Sequence, residues 1–564
     1  MLIFDQLKKS DAPLRVLALI MLAGIILLLG GLWYVQIISS RHYVADLRTQ
    51  SFRKVRIPAI RGKILDRHGA ELAVNRPDYS IVLYLEELRT HFQDVYTRER
   101  DRINRTRVAR GENRLTATQR SALGEYTRYL VASNVVHQVS TMIQTPLTLD
   151  RDEFKRHYTQ RLALPLPIVE NLIPEQVIRF EEQPVNPTGV DLQIQPYRHY
   201  PHTNRAAHLL GYLIKDNRSV EDEDAFFNYR LVDYRGVIGL ERTFDSELRG
   251  RAGVKSVLVN NLGYRQSENI WTPADPGQNL ILTIDLGVQI VAEQALEEFG
   301  GQDVRGAVVV LDPRNGDIVA MVSRPGYDPG MFIRGFAPEE LERWRDTELT
   351  PELNRATQGI YPPGSIFKIV VGLACLEKGL NPNTIIESPG FFRIGSRGRP
   401  WRDLADGGRP SRFNFRTGFI KSSNFYFQTN GVYQAGLQAI LNMGHQFHLG
   451  ESWQIPTYQN HNGHFPTQES IRNARKRGEV WTDGDTANLC IGQGDISVTP
   501  IQMAVMTAAV ANGGEVYWPR LVERLEAQEV PVDGSPVTAF PPRLRNRLDV
   551  SPRNLRIVQE AMYA

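Results

Sequence analysis

The N-terminal part of the chain contains a long run without charge. No charged residue occurs between Val16 and Ser40, and most of this segment is Leu, Ile, Ala and Gly. A helix of about 20 apolar residues can cross the hydrocarbon core of a bilayer, whereas a cleaved signal peptide has a shorter apolar core. We therefore predict a transmembrane anchor at residues 16–40, preceded by a cytoplasmic tail at residues 1–15.

Basic residues before the anchor indicate its orientation. Lys8, Lys9 and Arg15 precede the apolar run, and short basic segments favour the cytoplasmic side of a membrane. We expect a single-pass protein whose remaining chain lies on the outer side of the membrane.

A serine and a lysine at the start of a second apolar run point to catalytic chemistry. The run Tyr-Pro-Pro-Gly-Ser-Ile-Phe-Lys occupies 361–368, and a buried helix is predicted from Ile366 to Leu376. Ser365 and Lys368 are one helical turn apart and share a face. A lysine amine in an apolar wall loses its proton readily and can take the serine proton. Ser365 is the candidate nucleophile and Lys368 the candidate base.

A second element supports a catalytic role for this pair. Such support is needed because Ser-x-x-Lys alone also occurs by chance. Ser422, Ser423 and Asn424 follow Lys368 along the chain. Ser-x-x-Lys, a Ser-Asp-Asn type triplet and Lys-Thr-Gly form the set used by penicillin-binding proteins and class A β-lactamases. Two of the three are present in that order. The sequence Arg-Thr-Gly at 416–418 precedes Ser422 and does not fill the third place.

The segment from about residue 276 has the pattern of an α/β domain. A strand at 280–285 precedes a helix from Leu286 to Phe299. Strands at 306–312 and 317–323 follow, joined by an Asn-Gly turn that favours a hairpin. We predict a mostly antiparallel sheet flanked by helices over 276–564.

Residues 41–275 contain no constellation of catalytic groups. Three glycine-containing motifs carry isolated charges in apolar surroundings. Packing at a module junction explains such motifs better than catalysis does. We predict a non-catalytic α+β module in which Arg61, Asp66 and Glu241 are paired in the interior.

Together these motifs resemble those of class B penicillin-binding proteins of the penicillin-binding protein 2 type, which acts in cell elongation. The resemblance extends from the anchor to the last residue. The following segments carry it beside the catalytic motifs: Arg-Gly-Lys-Ile-Leu-Asp-Arg-His-Gly at 61–69, Tyr-Pro to His-Leu-Leu-Gly-Tyr at 200–212, Gly-Leu-Glu to Leu-Arg-Gly-Arg-Ala-Gly at 239–253, and Ile-Gly-Gln-Gly at 491–494.

The resemblance implies a serine-type peptidoglycan D,D-transpeptidase that cross-links stem peptides and is acylated by β-lactams. It also implies that the module 41–275 is a pedestal, or dimerisation-type module, for the domain 276–564. In this family Ser365 would be the nucleophile, Lys368 the base, Ser422 a proton relay and Asn424 a ligand of the substrate amide. The implied location is the bacterial cytoplasmic (inner) membrane, with the catalytic domain on the periplasmic side. The implied partners are a polytopic SEDS-type glycosyltransferase and other elongation-complex proteins.

The chain departs from the family in two ways. Without Lys-Thr-Gly, the domain 276–564 is expected to be incomplete at its C-terminus, to lack three late strands of a five-stranded sheet, and to fall short of full activity. Some members bind zinc before the Ser-x-Asn motif, but 382–421 contains Asp403 and Asp406 with neither histidine nor cysteine. We expect no metal and no cofactor. A formal net charge of +3 over 564 residues gives no reason to expect nucleic acid.

Two alternatives remain open at the level of sequence. A β-lactam hydrolase or sensor would share the serine chemistry, although the anchor and the long module 41–275 count against it. A non-catalytic scaffold for wall-building proteins would fit the missing third motif, but the retention of all four candidate side chains counts against that.

Overall fold

The computed structural model describes residues 12–34, 52–216, 227–260, 262, 264–394, 398, 400–528 and 537–564. The predicted cytoplasmic tail 1–15 and anchor 16–40 are thus described only from residue 12 to residue 34, where helix α1 (Ala12–Trp33) is found. Of the helices that the structure describes, none combines the length and the hydropathy needed to span a bilayer.

The pedestal combines strands and helices, as predicted. Its described strands are β1 (Phe52–Ile57), β2 (Ile64–Leu65), β3 (Glu71–Leu83), β4 (Leu166–Val169), β5 (Val190–His199), β6 (Leu213–Lys215), β7 (Tyr229–Arg230), β8 (Tyr234–Gly236), β9 (Gly253–Val259) and β10 (Arg265–Thr272). Its described helices after α1 are α2 (Arg89–Ala109), α3 (Ala117–Met142), α4 (Arg151–Gln160), α5 (Pro174–Glu181), α6 (Ala207–Leu210), α7 (Gly239–Thr243) and α8 (Asp245–Arg249).

A buried ion cluster connects three segments of the pedestal. The carboxylate of Glu241, which has no exposed surface, accepts hydrogen bonds from Arg61 Nε at 2.7 Å and Arg198 Nε at 2.8 Å. The hydroxyl of Tyr200 donates to the same carboxylate at 3.2 Å. Burial raises the pKa of Glu241, but Arg198 and Arg61 outweigh burial and hold it below its ordinary value. The prediction that Arg61 and Glu241 are paired in the interior is confirmed, and the structure adds that they pair with each other.

The predicted ion pairing of Asp66 is wrong, since no basic side chain that the structure describes pairs with its carboxylate. Its carboxylate accepts backbone N–H groups instead, from His68 and Ala70 at 2.8 Å each and from Leu286 at 3.0 Å. A short carboxylate after a strand readily satisfies the free N–H groups of the turn that follows. Asp66 thereby connects a pedestal turn to the helix Leu286–Gly300, the first helix of the predicted catalytic domain 276–564.

The catalytic domain contains short strands among many helices. Its described strands are β11 (Asn279–Leu282), β12 (Gly306–Leu311), β13 (Ile318–Arg324), β14 (Ile386–Ser388), β15 (Phe391–Phe392), β16 (Trp401–Arg402), β17 (Ser411–Phe413), β18 (Glu515–Tyr517), β19 (Val522–Glu526), β20 (Thr538–Ala539) and β21 (Leu544–Arg547). Its described helices are α9 (Leu286–Gly300), α10 (Met331–Arg334), α11 (Pro338–Trp344), α12 (Lys368–Glu377), α13 (Phe415–Ile420), α14 (Asn424–Asn430), α15 (Gly436–Gln446), α16 (Gln468–Lys476), α17 (Asp483–Leu489), α18 (Pro500–Ala511) and α19 (Pro552–Tyr563).

The predicted hairpin and its helix are confirmed. Strands β12 and β13 pair antiparallel from Gly306 opposite Arg324 to Leu311 opposite Ile318, and Gly316 supplies the positive φ of the turn. Helix α9 packs on β13 and α18 packs on β12. Among the described residues, no third strand pairs with this hairpin.

One sheet crosses the predicted boundary at residue 275. Its strand order is β20-β19-β11-β2-β3-β4, with β5 also paired to β3. The crossing point is the parallel pair β2–β11, where Leu280 lies opposite Ile64. Gly62 is required beside it, because a Cβ there would meet the Gln278 carbonyl oxygen at 1.7 Å. The pedestal and the catalytic domain therefore share backbone hydrogen bonds as well as side-chain contacts.

Candidate active site

Ser365 lies on a short 3₁₀ turn, Gly364–Phe367, directly before α12. The side chain is exposed, and no hydrogen bond joins its hydroxyl to another described residue. The predicted helix from Ile366 is correct in place but begins two residues later, at Lys368. Ile366, which lies within this turn, is half exposed.

The motif Ile-Gly-Gln-Gly packs directly against the serine turn. The Gly364 N–H donates to the Gly492 carbonyl at 3.0 Å. Gly492 has a φ of 68°, and a Cβ there would meet the Gly364 carbonyl oxygen at 2.2 Å. Only glycine fits this approach, so a glycine far along the chain fixes the position of the turn that carries Ser365.

Lys368 is the first residue of α12 and is only 2% exposed. Its amine donates to the Ser422 carbonyl at 2.7 Å, the Ser422 Oγ at 3.0 Å and the Asn424 Oδ1 at 2.8 Å. The Phe427 ring lies 5.7 Å from the same amine. Three of the four predicted site residues are thus in direct contact.

Burial makes this amine lose its proton more easily than an exposed lysine does. Burial lowers the pKa of Lys368 to about 8, against a smaller opposing effect of the Asp403 charge. A lysine near this pKa can act as a base around neutral pH.

The segment Ser422–Asn424 is held in an unusual backbone conformation. Ser422 has a φ of 51°, in the left-handed region that costs a non-glycine residue free energy. Ser423 caps α14, since its Oγ accepts from the Tyr426 N–H at 3.1 Å. Asn424 is the first residue of that helix. The turn points the Ser422 and Asn424 oxygens toward Lys368.

Asp403 is a site residue that the motifs did not reveal. Its carboxylate accepts from the Ser423 hydroxyl at 2.6 Å and from the Asn424 N–H at 3.0 Å. Asp403 is 1% exposed and Ser423 is fully buried. In the sequence Asp403 stands out only as a possible metal ligand, because no motif links it to the Ser422–Asn424 segment.

The expected absence of zinc stays a prediction. Among the residues that the structure describes, no three His, Cys, Asp or Glu side chains lie close enough together to hold a metal ion.

Two family models match the chain. The model of the penicillin binding protein transpeptidase domain matches residues 306–564, which include all four predicted site residues. The model of the penicillin-binding protein dimerisation domain matches residues 56–282. The two matches divide the chain in the order that the sequence predicts.

Several proteins with similar sequences are named peptidoglycan D,D-transpeptidases. Peptidoglycan D,D-transpeptidase MrdA of Escherichia coli strain K12 is 29% identical over 517 residues, covering 90% of this chain and 73% of that protein. Peptidoglycan D,D-transpeptidase MrdA of Haemophilus influenzae is 29% identical over 520 residues, covering 90% of this chain and 72% of that protein.

Solved structures share the fold. A complex between penicillin-binding protein PBP2 and MreC from Helicobacter pylori matches with a TM-score of 0.63 at 20% identity, covering 91% of this chain and 82% of that one. A chain of a peptidoglycan synthase complex that coordinates polymerization and crosslinking matches with a TM-score of 0.63 at 24% identity, covering 98% of this chain and 85% of that one. With both domain models matched in order, this chain belongs to the class B penicillin-binding proteins of the PBP2 (MrdA) type.

Proposed function

We propose that this protein is a peptidoglycan D,D-transpeptidase that cross-links stem peptides during cell elongation through an acyl-enzyme on Ser365. The observation that carries the proposal is the Lys368 amine, buried one turn after the exposed Ser365 and held by Ser422 and Asn424. This arrangement is typical of an activated nucleophile with a neighbouring base.

In the first half of the reaction, Ser365 Oγ attacks the carbonyl carbon between the two terminal D-alanines. The hydroxyl proton passes to neutral Lys368 and then to the amine of the departing D-alanine, as the C–N bond breaks. Since pH 7 is one unit below a pKa of about 8, roughly a tenth of the Lys368 amines are neutral there.

In the second half, an amine of a neighbouring stem peptide attacks the ester carbonyl. The bond to Ser365 Oγ breaks, and a proton from the attacking amine returns to that oxygen. Ser422, whose Oγ accepts from Lys368 at 3.0 Å, relays this proton. Asn424 Oδ1 is occupied by Lys368, which leaves its amide NH₂ to donate to the substrate backbone.

The test of the nucleophile is covalent labelling by a fluorescent penicillin. β-Lactams imitate the D-Ala-D-Ala bond and should acylate Ser365. The full-length Ser365→Ala variant should show no label, because no oxygen remains to form the ester. The control is Ile366→Ala, which changes an exposed neighbour of the nucleophile and should label normally. Full labelling of Ser365→Ala would rule out the nucleophile.

We also propose that α1 belongs to a single-pass anchor in the cytoplasmic membrane, with the catalytic domain on the periplasmic side. Its large apolar side chains are exposed, Leu27 by 77% for example, and the uncharged sequence continues to Ser40. Such a surface favours lipid over water. Carbonate-washed membranes should retain the protein, whereas a chain beginning at residue 41 should be released. Retention of the shortened chain would contradict the anchor.

The proposed partners are a polytopic SEDS-type glycosyltransferase and other elongation-complex proteins, docked on residues 41–275. The support is that the solved neighbours include PBP2 with MreC and a peptidoglycan synthase complex. Co-purification with the glycosyltransferase should persist in Ser365→Ala, since docking does not need the nucleophile. Co-purification that survives deletion of residues 41–275 would contradict docking on the pedestal.

A further inference from the structure

Asp403 occupies a fixed position beside the site. It directly follows β16, and its N–H donates to the Gly390 carbonyl at 2.9 Å. Its Oδ1 also accepts from the Ala405 N–H at 3.3 Å, at the start of the turn Ala405–Gly408. The backbone around Asp403 thus holds the carboxylate in place independently of Ser422–Asn424, which we call the active-site turn.

Both carboxylate oxygens are directed at the active-site turn. Oδ2 accepts the hydroxyl of Ser423 at 2.6 Å and Oδ1 accepts the N–H of Asn424 at 3.0 Å. Because Ser423 Oγ also accepts from the Tyr426 N–H at 3.1 Å, its hydroxyl proton is left to donate to Asp403. Hydrogen bonds to a charged group are about twice as strong as those between neutral groups.

Ser422 and Asn424 flank the residue that Asp403 holds. Ser422 keeps its left-handed backbone only while its neighbours fix it. The oxygens of Ser422 and Asn424 are the three acceptors around the Lys368 amine. A loosened turn would therefore displace the base as well as its two ligands.

Resting on the proposed function, we propose that Asp403 is a positioning residue of the transpeptidase: its carboxylate fixes the turn Ser422–Asn424 and so holds the acceptors of the Lys368 amine in place. Asp403 does not touch the substrate and acts through these residues.

The negative charge of Asp403 also interacts electrostatically with the Lys368 amine. The groups facing the amine from the active-site turn and α14 are the neutral Ser422, Asn424 and Phe427. The Asp403 charge raises the pKa of Lys368, against the larger lowering by burial. Removing this charge should let Lys368 lose its proton at lower pH.

The experiment measures penicillin acylation rate against pH in the full-length protein and three variants. In the pH–rate profile, the rate should rise from acid pH (the acid limb) to a plateau. Asp403→Asn should lower the plateau by on the order of 10²-fold through displacement of the turn. It should also move the acid limb to lower pH, because the negative charge near Lys368 is removed. Ser423→Ala removes the hydrogen bond but keeps the charge, so the plateau should fall while the acid limb stays. Asp406→Asn is the matched control: this carboxylate lies in the adjoining turn but pairs with Lys421 at 3.2 Å on the surface, and both quantities should stay.

An unmoved acid limb in Asp403→Asn, or an unchanged plateau in both Asp403→Asn and Ser423→Ala, would overturn the proposal. If Asp403→Asn does not fold, Asp403→Glu serves instead: its acid limb should match the unmodified protein while its plateau falls, and an unchanged plateau overturns the proposal.

A second measurement separates this inference from the proposed function. Competitive acetylation of the Lys368 amine with acetic anhydride, read by mass spectrometry across pH, requires no acylation by penicillin. The apparent pKa of Lys368 should be lower in Asp403→Asn than in the unmodified protein, and equal values would overturn the proposal. Absence of penicillin labelling in the unmodified protein would instead contradict the proposed function.

Discussion

At the scale of single residues, the burial of Lys368 predicts the pH dependence of the proposed reaction. Burial lowers its pKa to about 8, so at lower pH the neutral fraction of the amine rises about tenfold for each unit increase in pH. We expect the acylation rate constant for penicillin to rise with this slope and to level off above pH 8. A rate that is flat between pH 6 and 9 would contradict Lys368 as the base.

The matched variants are Lys368→Ala and Lys368→Arg. Both should slow acylation by about 10²–10⁴-fold: alanine has no base, and arginine stays protonated at every accessible pH. Stopped-flow measurement of the label gives the rate, and circular dichroism checks that both variants remain folded.

The motifs predicted the identity of the site residues but not the contacts among them. Spacing alone suggested that Ser365 and Lys368 share a face, and the structure adds that Lys368 is bound to Ser422 and Asn424. Asp403 was missed because its role depends on a contact with Ser423 that only the fold creates. The left-handed φ of Ser422 was missed because serine carries no signal for it.

At the scale of elements, the contact between Gly492 and the serine turn gives a second prediction. Gly492→Ala places a Cβ 2.2 Å from the Gly364 carbonyl oxygen, so the turn carrying Ser365 must move. We expect acylation to fall on the order of 10²-fold, since a displacement of about 1 Å has that effect. Labelling kinetics measure the loss.

Gly301→Ala is the control for this prediction. Gly301 also has a positive φ, of 78°, but a Cβ there has nothing within 4 Å. The backbone strain is therefore shared, whereas the clash is present only at Gly492. Equal acylation by the two variants would show that the close approach to Gly364 is unimportant.

Elements with strong local patterns were predicted well. Helix α9 and the hairpin β12–β13 follow from apolar periodicity and an Asn-Gly turn. The very short strands, such as β2, were not predictable, because two residues carry no period. They exist because neighbouring strands pair with them.

At the scale of the whole molecule, the Glu241 cluster allows a test of how the two domains depend on each other. Glu241→Ala leaves Arg61 and Arg198 buried without this carboxylate, which should lower the free energy of unfolding by about 3–5 kcal/mol. Glu241→Gln keeps the shape and removes only the charge, so it separates packing from electrostatics. An unchanged melting temperature in Glu241→Ala would contradict the structural role of the cluster.

The stabilisation should also depend on pH. The pKa of Glu241 is held below its ordinary value of 4.5 by Arg198 and Arg61, despite burial. Its contribution is therefore complete above that ordinary value and is lost as pH falls through the folded-state pKa. Because β2 and β11 share a sheet, we expect the two domains to unfold together. Glu241→Ala should therefore lower two midpoint temperatures by the same amount: that of the change in tryptophan fluorescence and that of the loss of penicillin acylation.

The sheet that crosses the domain boundary gives the molecule a mechanical property. In the proposed acyl-enzyme, the protein is tethered to the membrane at one end and bonded to the cell wall through Ser365. Any relative movement of wall and membrane then loads the path between them, and part of that load passes through the hydrogen bonds of β2 with β11. A flexible linker would extend under such a force, whereas hydrogen-bonded strands resist extension. Each acylated molecule is therefore a rigid connection between membrane and wall. The time for which it bears the force is set by the rate of deacylation.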